Sequence, residues 1–208
     1  MPHAAILSGI VFADLLAEPG VIEVLELRST IGFLAFHGGS LERQTDVIAV
    51  DAAERSGASV YAVVQPPGLR WHIPSVDVRP EASPSLRAFL DHVEVTIAIH
   101  GFGRDGFWTT MLLGGSNRDL AAHLATHLAP ALPDYAAVHD LDAIPAELRG
   151  LHPRNPVNLP PKGGVQLELP PRVRGTTPHW DDWPGPGHCP PTEALIAALA
   201  AAVTAWPA

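Results

Sequence analysis

The sequence predicts an α/β fold, a sheet covered on both faces by helices, and three observations carry that expectation. Short apolar runs alternate with helical stretches along most of the chain. At least one run, "VEVTIAI" (93–99), is too continuously apolar for a half-exposed strand and reads as a buried one. The 208 residues (22.1 kDa) are 47% hydrophobic and only 17% charged, enough to fill one core and too apolar for intrinsic disorder. One domain over 1–208 is therefore expected, with 175–208 as a distinct C-terminal tail and helix.

In order, "VIEVLEL" (21–27) alternates like a strand and 31–36 reads as a second. Thr45 is placed to cap a helix through "DVIAVDAAERSG", with Asp46 in its first turn and Gly57 as its stop. "ASVYAVV" (58–64) is β-rich and "QPPG" ends it. A helix over 85–92 leads into the 93–99 strand, "FWTTMLLGG" into another, and 117–132 is Ala/Leu-rich and helical. "GVQLEL" (164–169) is a strand in proline-rich surroundings, and a helix over 193–206 closes the chain.

The formal charge of −9, 13 basic against 22 acidic residues, argues against a nucleic-acid partner, because phosphate binding needs a basic face. The single cysteine, Cys189, leaves no internal disulfide and no cysteine-rich zinc site. No stretch reaches the ~18 apolar residues of a membrane span. The opening segment has no Lys or Arg before Arg28, so no signal peptide is evident. A cytoplasmic monomer, or one released on cell or phage lysis, is the expectation.

In open α/β sheets, chemistry gathers beyond the carboxyl ends of the strands. Three such ends carry polar groups: His37 with Glu42 in "FHGGSLE", His100 after "VEVTIAI", and Glu168 inside "GVQLEL". Two histidines and a carboxylate make a catalytic zinc set with one open position, and a second carboxylate suits a general base. His37 and Glu42 would diverge by about 140° on a helix, but a turn through Gly38 and Gly39 lets them converge. Residue types and spacing leave two readings open, a metal site and a pair of structural histidines.

"FHGGSLERQTDVIA", "IHGFGRDGFW", "MLLGGSN", "LRGLHPRNPVN" and "KGGVQLEL", in this order, resemble the poly-γ-glutamate hydrolase family over roughly 12–174. The resemblance implies a single mixed sheet flanked by helices, like that of zinc carboxypeptidases. It also implies a bound Zn2+ and hydrolysis of γ-glutamyl amide bonds. Carried over by position, His37, Glu42 and His100 would be the zinc ligands and Glu168 the catalytic carboxylate. His72, in "RWHIPSVDV", stands where the family has a similar His-Ile pair. The sequence departs from the family after Thr45 and from Gly175 onward.

Such a substrate, an anionic polymer or a small γ-glutamyl compound, needs local positive charge. Between 149 and 174 lie Arg149, Arg154, Lys162, Arg172 and Arg174, five of the 13 basic residues, with Glu168 the only acid. Arg154, Arg172 and Arg174 are thus candidate carboxylate clamps, and Asn155 and Asn158 candidate hydrogen-bond donors. The alternatives are a zinc hydrolase of a small acyl-amino acid or cell-wall γ-glutamyl amide, and a non-catalytic metal-containing binding protein.

Other motifs have plainer readings. "GFGRDG" (101–106) fits a dinucleotide loop, but the β-like "FWTTMLL" follows where a helix is required. His123 and His127 are four apart without the glutamate of HExxH. His179, Asp181, Asp182, His188 and Cys189 in the tail are possible ligands, better read as an ordered loop or lid.

Overall fold

The computed structural model describes residues 11–177 and 183–207. Its strands are β1 (Ile22–Glu26), β2 (Ile31–Gly39), β3 (Ser59–Gln65), β4 (Val95–Gly101), β5 (Thr110–Leu113), β6 (Ala136–Val138) and β7 (Gly164–Leu169). The helices are α1 (Phe12–Ala17), α2 (Thr45–Ser56), α3 (Pro84–His92), α4 (Arg118–Ala131) and α5 (Pro190–Ala205). The strands form one mixed sheet in the order β1-β3-β2-β4-β7-β5-β6. Its centre, β3-β2-β4-β7, is parallel, while β1 and β5 run antiparallel to β3 and β7.

Strand alternation divides the core in two. Phe33, Ala35, Val60, Ala62, Ile97, Ile99, Val165 and Leu167 face α2, α4 and α5. Leu34, Phe36, Tyr61, Val63 and Ala98 face α1, α3 and the segment around Ile73 and Val78. The central strands are buried on both sides, which is why they read as continuous apolar runs.

Helix starts and stops follow local chemistry. Ser83 accepts from the Leu86 N–H at α3, and Asn117 from the Leu120 N–H at α4, each at 2.9 Å. Gly57 ends α2 in the left-handed region (φ 70°). Thr45 does not cap α2 as expected. It is the first helical residue, its hydroxyl donating to the Glu42 carbonyl at 2.8 Å, and Gln44 precedes it at φ 74°. The turn is held by backbone bonds on both sides of Glu42, whose N–H donates to the His37 carbonyl and whose carbonyl accepts from the Thr45 N–H. Helix α1 and strand β6 were not anticipated; at six and three residues, neither carries a readable period.

"GFGRDG" leads into strand β5 rather than a helix, so no helix N-terminus is present to hold a pyrophosphate. His123 is a packing residue between α4 and α5: its Nε2 lies 2.9 Å from the Ala202 carbonyl, and its ring meets Trp206 edge-on at 5.0 Å. Among the described residues, no helix is long and apolar enough to cross a membrane.

Candidate active site

Three adjacent parallel strands, β2, β4 and β7, bring His37, His100 and Glu168 to one end of the sheet. Strands β2 and β4 do not end before their histidines, as the sequence suggested, but continue through them to Gly39 and Gly101. His100 and Glu168 are register partners across β4 and β7.

His37 reaches the same face through a bulge. Ala35 pairs with Ala62 and Gly38 with Val64, so Phe36 and His37 together oppose the single residue Val63. With the extra residue, both side chains fall on one face; strict alternation would have sent His37 toward α2. Phe36 then packs edge-on against His37 and against His100, at 4.9 Å each, and the two imidazoles are 5.1 Å apart. Gly38 and Gly39 are required here. A Cβ at Gly38 would lie 2.5 Å from the Asp46 Cβ, and one at Gly39 (φ +69°) 2.1 Å from the Gln65 carbonyl oxygen.

Past this turn, the Glu42 N–H donates to the His37 carbonyl at 2.9 Å and the carboxylate comes back between the histidines. Glu42 Oε1 is 2.9 Å from His37 Nδ1; Oε2 accepts from the Gly101 N–H at 2.8 Å and lies 3.5 Å from His100 Nδ1. Ligand atoms of His37, Glu42 and His100 all lie within 4.8 Å of one another, which makes this group a possible metal site.

The donor set fits a metal. His37 Nε2 sits 2.8 Å from the Ile73 carbonyl, which only accepts, so Nε2 carries the hydrogen. Nδ1 then faces a carboxylate oxygen at 2.9 Å, an arrangement that needs a proton or a cation between the two atoms. His100 Nε2 is buried with no hydrogen-bond partner among the described residues. Two imidazoles and one carboxylate leave a fourth position for water or substrate.

Electrostatics divide the two carboxylates. Burial opposes ionisation of Glu42, but His37 and His100 outweigh it and hold the carboxyl well below its usual range. Burial pushes Glu168 up, with His100 only partly offsetting it. The same contact with Glu42 raises His100 despite its burial. His72, 4.7 Å from the His37 ring, is pushed down to about 4 by burial and by His37. The two carboxylates are thus driven apart, the usual mark of distinct roles.

The site opens into a cleft of about 710 Å³ whose walls include His72, Phe102, the strap 146–152, Asn155 and Gln166. Gln166 went unnoticed in the sequence, although it lies two residues before Glu168 and so shares its face of β7.

The other candidates are more scattered. Arg154 and Arg172 are exposed and are not among the cleft-lining residues. Arg174 is 7% exposed and lies behind the site, donating from Nε to the Leu169 carbonyl at 3.1 Å and from Nη1 to the Arg43 carbonyl at 2.7 Å. Asn158 holds the strap from behind through the Gly150 and His152 carbonyls, at 2.7 and 3.0 Å. Asn155 donates to Gln166. In the tail, His179, Asp181 and Asp182 lie outside the described residues, while His188 pairs with Asp51 at 2.6 Å and Cys189 sits beside the Thr192 hydroxyl.

The model of the poly-gamma-glutamate hydrolase family matches residues 16–177, most of the chain. This chain belongs to the poly-gamma-glutamate hydrolase family. Among solved structures, a bacteriophage poly-gamma-glutamate hydrolase is similar at 21% identity and a TM-score of 0.73, over 88% of this chain and 87% of that one. The zinc-free apo form of YNDL is similar at 24% identity and a TM-score of 0.63, over 74% of this chain and 73% of that one. Both likenesses are of fold, and they agree with the single mixed sheet flanked by helices that the sequence predicted. A search of curated proteins finds no match. The protein is accordingly a hydrolase of this family, as its motifs implied.

Proposed function

We propose that this poly-γ-glutamate hydrolase is zinc-dependent and cleaves γ-glutamyl amide bonds at the shared end of β2, β4 and β7, with His37, Glu42 and His100 holding the metal and Glu168 as general base. The observation that carries this reading is the convergence of those four side chains on one face, with a bulge supplying His37. Two imidazoles and a carboxylate suit zinc, and one similar structure is described as zinc-free. Zinc held there would lower the pKa of a water toward ~7 and polarise the scissile carbonyl.

The chain's own groups do the rest. Glu168, 5% exposed and raised in pKa, accepts the proton of the attacking water and returns it to the departing amine. Gln166 fixes Glu168 Oε1, while Oε2 takes no protein hydrogen bond among the described residues and remains for the water. The Ile73 carbonyl sets the His37 tautomer, and the Gly101 N–H steadies Glu42. Phe36 packs against both rings and limits their rotation.

The test is poly-γ-glutamate incubated with purified protein and sized on a gel, with and without a chelator, followed by zinc restoration. Shortening that the chelator stops and zinc restores is expected. Intact polymer from zinc-loaded protein would overturn the polymer reading and favour a small γ-glutamyl amide.

A further inference from the structure

Strap 146–152 contributes Arg149, the one arginine or lysine among the residues lining the cleft. The other permanent charges in that lining are the acids Glu42, Glu147 and Glu168. A substrate of this family's polymer type brings a carboxylate on every residue. A metal held by Glu42 and the two histidines would be committed to the water and the scissile carbonyl, so that carboxylate needs a cation of its own beside the acids.

Arg149 is built to be that cation. It is half-buried, and its Nε donates to the Ile144 carbonyl at 2.9 Å, which fixes the plane of the guanidinium. Neither of its Nη atoms donates to any group among the described residues, and no described carboxylate pairs with it. The nearest acid in sequence, Glu147, is engaged elsewhere by Arg104 at 2.5 Å. The Arg149 backbone is anchored as well, its carbonyl accepting from the Gly115 N–H at 2.7 Å. The next residue, Gly150 (φ +64°), lies so flat on Gln166 that a Cβ would come within 2.6 Å of its Oε1. Gln166 is the residue that holds Glu168. The strap bearing the cation therefore rests directly on the support of the proposed base. A guanidinium with one edge tied and two Nη groups open presents the fork that binds a carboxylate through parallel hydrogen bonds.

We propose that Arg149 binds the α-carboxylate of a glutamyl residue in the cleft and so selects γ-linked glutamyl chains over amides lacking that group. This rests on the hydrolase reading above and adds a specificity residue to it.

The test uses a short γ-linked oligoglutamate and its counterpart with every α-carboxylate converted to a carboxamide. Both are assayed with the zinc-loaded wild type, R149Q and R149K, with metal content and thermal melting confirming that the variants are folded. The wild type is expected to lose roughly 10- to 100-fold in kcat/KM on the carboxamide. R149Q should lose a similar factor on the carboxylate oligomer but change little on the carboxamide, a coupling that a merely structural role does not produce. R149K keeps the charge without the fork and should fall between. Equal wild-type rates on the two oligomers would overturn the assignment even if R149Q failed to fold, as would full discrimination retained in R149Q. If the wild type cleaves neither oligomer, the hydrolytic reading fails instead. Calorimetric titration then still decides Arg149: the wild type must bind the carboxylate form at least roughly tenfold more tightly than the carboxamide.

Discussion

Gln166 donates from Nε2 to Glu168 Oε1 at 2.8 Å while its own Oε1 accepts from Asn155 Nδ2 at 2.7 Å. A carboxylate only accepts, so the direction of this relay is set: Asn155 orients the amide of Gln166, and Gln166 orients the carboxylate. E168Q should therefore keep its metal content and lose on the order of 10²- to 10⁴-fold in turnover, the usual weight of a general base. Q166L should lower kcat on the order of tenfold with KM nearly unchanged, because it removes a charge-assisted bond rather than a substrate contact. Steady-state kinetics beside metal analysis separate these outcomes; near-normal turnover in E168Q would remove Glu168 from the chemistry.

His37 and His100 reach Glu42 from two different strands, and neither can replace the other. H37A and H100A should each fail to retain stoichiometric zinc after dialysis, with an affinity loss exceeding the roughly 10- to 100-fold typical of losing an outer hydrogen-bond partner. Metal content measured by atomic emission decides it. Either variant holding a full equivalent of zinc is not missing a ligand.

Much of this was legible in the sequence because parallel, doubly buried strands leave long apolar runs, and polar residues that interrupt their ends stand out. His37, His100 and Glu168 were visible for that reason. The bulge at Phe36 and His37 was not, because an extra residue in one strand exists only relative to its neighbour's register. The same limit applied to the basic residues of 149–174. Sequence placed five of them near Glu168, but burial sorted them, sending Arg174 behind the site and Arg154 and Arg172 to the surface. Asn155 and Asn158, expected to meet substrate, are occupied by Gln166 and the strap carbonyls. Gln166 could have been found from its spacing of two from Glu168.

Arg174 covers Gly101, where a Cβ would fall 2.6 Å from its Cζ, and it donates to two carbonyls that no other side chain reaches among the described residues. Burial lowers its pKa, with Glu42 and Glu168 acting against that fall. R174M should thus destabilise the fold by about 2–4 kcal/mol, through the Arg43 carbonyl left without its Arg174 donor and the lost counter-charge. The thermal midpoint should drop, while KM for the polymer in the folded protein changes little. A raised KM at unchanged stability would return Arg174 to the role of substrate clamp.

Tyr61 is fully buried in the second core, its hydroxyl donating to Glu23 Oε1 at 2.5 Å, with the Ser83 hydroxyl on the same oxygen. Burial, and then the Glu23 hydrogen bond, raise the phenol well above its ordinary value of ~10. The sign follows from linkage. Above pH ~10 the unfolded chain releases this proton and the native state keeps it, so the unfolded state binds fewer protons and stability falls as pH rises. With only two tyrosines and one lysine in the chain, few other side chains titrate in that window. Urea midpoints measured from pH 9 to 11.5 should therefore fall steeply in the wild type. In Y61F the fall should be shallower, its remainder due partly to Tyr135, which burial also raises. At pH 8 the variant loses one hydrogen bond and should be weaker by about 0.5–1.5 kcal/mol. The two curves must then converge as the pH rises; parallel curves would show that the Tyr61 proton is not the one holding the alkaline limb.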